Sequence, residues 1–136
     1  MMGYGMVSAL YVVLGALLIV KFSLDVVRLR RQYRVSIGDG GISDIQLAIR
    51  IHGNAVENIP IALLLLVMME MNGANIWLLH LLGLFFFFGR LLHAWGLRSR
   101  TLLWRRNGMV LTLLSLLGMV IVNLIFLPWD LILTAD

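Results

Sequence analysis

Arg50-Ile51-His52-Gly53-Asn54-Ala55-Val56-Glu57-Asn58-Ile59-Pro60 stands directly before an apolar run, Ile61 to Met69. A guanidinium, an amide and a carboxylate therefore lie where a membrane helix enters hydrocarbon. At about 100° per residue, steps of four and three place Arg50, Asn54 and Glu57 on one stripe of that helix. Ionisable groups at such depth are costly and face a bundle interior or a polar cavity, which points to a functional site. The competing reading is an Arg50–Glu57 ion pair that only pins helices together.

A second set of candidates lies in the third apolar run. Arg90, His93 and Leu97 fall at i, i+3 and i+7 and so share a face. If the helices are antiparallel, Arg90 reaches the depth of the first stripe. There it either neutralises Glu57 or contacts a ligand. The remaining arginines cluster: Arg28, Arg30, Arg31 and Arg34 in one group, Arg98, Arg100, Arg105 and Arg106 in another.

The elements that must position these groups follow from composition. Of 136 residues, 61% are hydrophobic and 13% are charged, whereas soluble domains average about 45–50% apolar. The chain reads as an all-α integral membrane protein of one domain. Four spans, at about residues 4–27, 44–70, 76–97 and 108–127, nearly exhaust it. Gly3, Gly5, Ser8, Gly15 and Ala16 allow close helix approach in the first span. Lys21 and Asp25 pair near its end. Glycines at 38, 40 and 41 make the first loop a tight reversal. Ser43 and Gln46 match a capping box at the second helix. Pro60 predicts a bend. Phe85 to Phe88 reads as a lipid-facing run, His80 as interfacial, Asn123 as a bond to another helix, and Leu131 to Asp136 as a frayed tail.

The net charge is +4, and eight of the eleven basic residues sit in the two clusters. With no soluble basic face, nucleic acid is excluded as a partner, and anionic headgroups or a small anion fit better. The absence of cysteine removes disulfides, thiolate metal sites and a protein thiol nucleophile, and no metal site is predicted. The N-terminus lacks a basic region and a cleavage site, so it reads as a retained span. The positive-inside rule makes both basic loops cytoplasmic and places the Asn72 turn and both termini outside.

Several pieces together carry a resemblance. They are Arg28-Leu29-Arg30-Arg31 with Arg34-Val35 and Gly38-Asp39-Gly40-Gly41, and Ala48-Ile49-Arg50-Ile51-His52-Gly53-Asn54 with Glu57 and Pro60. Gly89-Arg90-Leu91-Leu92-His93-Ala94-Trp95-Gly96 and Arg105-Arg106-Asn107-Gly108 with Leu111-Thr112 complete them. In these the chain resembles the MAPEG family of microsomal glutathione transferases and leukotriene-forming synthases, above all its small bacterial inner-membrane members. The resemblance implies a four-helix bundle assembled as a homotrimer, with glutathione as co-substrate between subunits near the cytoplasmic face. Positions matching its ligands are Arg30, Arg50, His52, Asn54, Glu57, Asn58, His93 and Leu97. The thiol-activating arginine matches Arg105, with Arg106 as the alternative, and Arg31 matches a second arginine nearby. The family's transferases usually carry tyrosines where this chain has Asn58, His93 and Leu97.

The resemblance thus implies a glutathione-dependent transferase or peroxidase acting on a lipophilic small molecule or lipid. A non-catalytic membrane protein binding a lipid or small anion on the same scaffold is the alternative. A channel would need a continuous polar path, and the outer halves of the spans read as almost wholly apolar.

Overall fold

The computed structural model describes residues 6–134 and consists of four long helices and one short one. They are α1 (Met6–Tyr33), α2 (Ser43–Met71), α3 (Ile76–Arg98), α4 (Leu102–Phe126) and α5 (Trp129–Leu133). Each of the first four is long and apolar enough to cross a membrane. At about 1.5 Å per residue, α2 spans about 42 Å against a hydrocarbon core of about 30 Å. The helix is therefore longer than the core is thick. Bonds from α1 to α2 and α3 at one end, and from α1 to α3 at the other, fix the up-and-down order. Gly3, Tyr4 and Gly5, expected in the first span, lie outside the described residues, as do Ala135 and Asp136.

One seam of α2 forms the core. Ile45, Ala48, Ile51, Ala55, Ile59, Ala62, Leu66 and Met69 recur at three- and four-residue steps and are all buried. Helices α3 and α4 approach through glycine. A Cβ on Gly96 would lie 2.1 Å from the Arg105 backbone nitrogen, and one on Gly108 would lie 2.3 Å from that of His93. No other residue fits there, because neither neighbouring atom is the end of a flexible side chain.

The basic segments are mostly helical. Arg28, Arg30 and Arg31 ride on the last turns of α1, and Arg105 and Arg106 on the first turn of α4. Only residues 99–101 join α3 to α4. Arginine is a good helix former, and cations suit a helix C-terminus, so α1 continues past Val27 to Tyr33. Arg34 and Arg100, just past the ends of α1 and α3, take left-handed φ of 58° and 57°. Each reversal is closed by backbone bonds, Val35 N to Arg30 O and Thr101 N to Gly96 O.

Several local expectations change. The capping box does not form: Ile42 is the cap residue, and the Ser43 hydroxyl instead accepts from Arg100. Phe86 and Phe87 are buried, and only Phe85 and Phe88 are exposed, because four consecutive helical residues cannot share one face. The expected frayed tail begins as helix α5, its Trp129 indole donating to Leu124 O. Asn123 does bond across helices, to Leu65 O at 3.0 Å.

Candidate functional site

The buried seam turns the opposite face of α2 outward, and the polar stripe lies on that face. Arg50 and Glu57 are exposed and Asn54 is half-buried. Arg50 and Glu57 form no hydrogen bond or ion pair among the described residues, so the Arg50–Glu57 pin is not made.

Arg90 is the deepest charge, only 3% exposed. Its Nε donates to Thr112 Oγ1 at 3.1 Å, and Thr112 in turn donates to Gly108 O at 2.8 Å. Nη1 donates to Asn54 Oδ1 and, at 3.5 Å, to the Asn54 carbonyl. Nη2 faces Met109 Sδ at 3.5 Å. The expected partnership with Glu57 is therefore absent. Arg90 approaches from the flank of Asn54, and Glu57 stands about 60° further round the helix on the outer side.

This contact sets what Asn54 can offer. A guanidinium only donates, so the atom it holds must be the amide oxygen. Asn58 Nδ2 donates to the same oxygen at 3.3 Å and to the Asn54 carbonyl at 2.8 Å. The oxygen is thus taken twice, and the Asn54 nitrogen is left to donate. Asn58, by the same logic, keeps an acceptor oxygen. Arg90 has no carboxylate partner among the described residues, so its charge reinforces an anion-seeking Asn54.

The other predicted residues fall into two places. His93 and Leu97 are buried on α3 where Gly96 and Gly108 bring α4 close. Arg105 is exposed at the open end of that seam. With Leu47, Leu97, Arg100 and Leu102 it lines a cavity of about 210 Å³, which Arg106 does not reach. On α1, Arg30 Nε donates to Gly38 O at 2.9 Å and braces the reversal. Arg31 is exposed, and its guanidinium has no hydrogen-bond partner among the described residues. No hydrogen bond or ion pair joins Arg30 or Arg31 to the α2 stripe. His52 is half-buried, about 200° round α2 from Asn54, and so stands apart from the stripe.

Sequence reasoning missed polar links between residues 56 or more apart in the chain. Glu70 of α2 accepts from Val7 N, Ser8 N and Ser8 Oγ at the start of α1. The Tyr11 hydroxyl and His80 Nδ1 are bonded at 2.7 Å. Arg100 donates to Ser43 and to Asp44, tying the α3–α4 turn to the start of α2. No spacing rule connects such positions. Asp25, expected to pair with Lys21, does so at 2.8 Å and also takes Arg98 at 2.8 Å.

A model of the MAPEG family matches residues 8–125. The chain is 59% identical over 127 residues to the inner membrane protein YecN of Escherichia coli strain K12, covering 93% of this chain and 97% of that protein. The same identity and coverage hold for YecN of Escherichia coli O6:H1 strain CFT073. With four helices able to span a membrane and a family match over most of its length, this chain belongs to the MAPEG family.

Proposed function

We propose that the protein is a glutathione-dependent transferase or peroxidase acting on lipophilic electrophiles within the membrane. One observation carries this reading. Arg50 and Glu57 stand unpartnered on the outer face of a membrane helix, with the Asn54 amide held ready to donate beside them. Facing lipid, such charges are expensive. A second copy covering that face would bury them in a polar groove, consistent with the homotrimer expected of the family.

The groove suits a zwitterionic peptide. Arg50 offers a planar fork to a carboxylate, and Glu57 accepts from an ammonium. Asn54 donates and Asn58 accepts. Arg30, with its Nε used by Gly38, keeps its terminal nitrogens for the second carboxylate. His93 and His52 complete the set of candidate ligands. An ordinary thiol has a pKa of about 8.5 and is mostly protonated at pH 7. A guanidinium a few ångströms away lowers an acid's pKa by about 1–3 units, and it cannot itself act as a base. Arg105 takes that role, and Arg31 is the second candidate cation. The thiolate sulfur then attacks the electrophilic carbon, the C–S bond forms, and the leaving group departs with its electron pair. Leu97 is 5% exposed and carries no hydroxyl, so no phenol assists there.

The basic loops face the cytoplasm of an inner membrane in this reading, with both termini outside. Calorimetric titration of the detergent-purified protein with glutathione is expected to show binding. Thiolate absorbance should appear in the wild type and vanish in Arg105→Ala. Unchanged thiolate in that variant would remove Arg105 from the chemistry. The absence of tyrosine at 58, 93 and 97 favours one second reading: a protein that binds glutathione or another small anion or a lipid without turnover. Binding with no thiolate in the wild type would select it.

A further inference from the structure

The reversal between α3 and α4 carries a charge that the thiol chemistry has not used. Arg100 Nη2 donates to Ser43 Oγ at 2.8 Å and to Asp44 Oδ1 at 3.1 Å. The other Asp44 oxygen, Oδ2, accepts from the Tyr33 hydroxyl at 3.1 Å. Asp44 therefore joins three elements: the last residue of α1, the first turn of α2 and the turn that leads into α4. Both of its oxygens are engaged, and the guanidinium of Arg100 is drawn toward α2.

Arg100 and Arg105 line the same cavity of about 210 Å³. The two differ in what faces them. Arg100 has a carboxylate oxygen at 3.1 Å, whereas Arg105 forms no ion pair among the described residues. Asp44 reaches Arg100 from outside the cavity, so it cancels that charge without presenting an anion to a bound molecule. Arg105 is tied to the same turn, its amide donating to Thr101 O at 3.2 Å. Of the other charged and titratable groups, His93 of α3 lies close enough to feel the Arg105 charge, and Arg98 is turned to Asp25. One of the two guanidiniums at the cavity is thus compensated and one is not.

We propose, resting on the glutathione reading above, that Asp44 is a positioning residue for the thiol chemistry. By holding and cancelling Arg100, it leaves Arg105 as the single uncompensated cation at the cavity and so sets how readily a bound thiol ionises. The physical reason lies in how nucleophilicity depends on acidity. An ordinary thiol has a pKa of about 8.5, and one guanidinium nearby lowers it by about 1–3 units, to the neighbourhood of pH 7 or below. A second free guanidinium would add little thiolate there. It would also make the sulfur a poorer nucleophile, because nucleophilicity falls as pKa falls. Two uncompensated cations would further repel one another across a small cavity. The Asp44 carboxylate removes both effects.

Thiolate absorbance followed against pH, on full-length protein in detergent saturated with glutathione at low ionic strength, tests it. Asp44→Asn frees the Arg100 charge, and the midpoint is expected to fall by about half a pH unit. Asp44→Ser, a second way of removing the acid, should give the same fall. Arg100→Gln leaves Asp44 uncompensated and should raise the midpoint by a similar amount. The double variant Asp44→Asn, Arg100→Gln removes one charge of each sign and should return to the wild-type midpoint. A merely structural role would instead move both single variants the same way and the double variant further. That outcome, or midpoints that do not move, overturns the proposal and leaves the glutathione reading in place. A wild type whose bound glutathione ionises no lower than an ordinary thiol, at about 8.5, overturns both.

Discussion

The two ends of the bundle differ in how completely they close their polar groups on one another. At the end bearing the Asn72 turn, polar groups found in the structure are closed on one another: Glu70 takes the first amides of α1, and Tyr11 takes His80. At the basic end Arg31, Arg50, Glu57 and Arg105 are exposed, and a large share of the ionic capacity is left open. Closure of the first kind builds a fold. Openness of the second kind, inside a chain that is 61% hydrophobic, is worth its cost only where something else supplies the partners.

That contrast can be broken most severely at the glycine seam. Gly96→Leu should abolish folded protein, read as loss of the monodisperse peak after detergent extraction, because the side chain would begin 2.1 Å from a backbone nitrogen. Gly83→Ala, at the other end, meets only the Tyr11 ring at 2.8 Å and should cost about 1–3 kcal/mol. A milder test is Glu70→Ala, which strips two backbone amides of their acceptor. Thermal unfolding should show a loss of about 1–3 kcal/mol, with glutathione affinity unchanged. The smallest effect on stability is expected from Arg50→Ala and Glu57→Ala, within about 0.5 kcal/mol of wild type because no contact within the chain is lost. Calorimetry should nevertheless find glutathione binding weakened by roughly ten- to a hundredfold, the worth of one charge-assisted bond of about 1.5–3 kcal/mol. A large stability loss in these two variants would erase the distinction between the ends.

Apolar run length and the position of turn residues made four helices legible, since both are properties of adjacent residues. The shared face of Arg50, Asn54 and Glu57 was legible for the same reason: helical phase is local. What spacing could not carry was rotation of one helix against the next. Arg90 was placed at the right depth, yet depth left Glu57 and Asn54 equally near, and only the packing of α3 against α2 and α4 decided for Asn54. The helical path of Arg28, Arg30 and Arg31 was misread as loop because charge was taken for an end signal. Tyr11 lies 69 residues from its partner His80, and nothing adjacent in the chain marks the two as a pair.

The carboxylate of Glu70 has a consequence for how the molecule is put together. The amides that open the first transmembrane helix are sealed by a side chain encoded 62 and 63 residues downstream. Until the far end of α2 arrives on the same side, the Val7 and Ser8 amides lack the acceptor they have in the folded bundle. The first two helices therefore complete one another, and exchanging either as a separate cassette would strand the acid of one or the amides of the other.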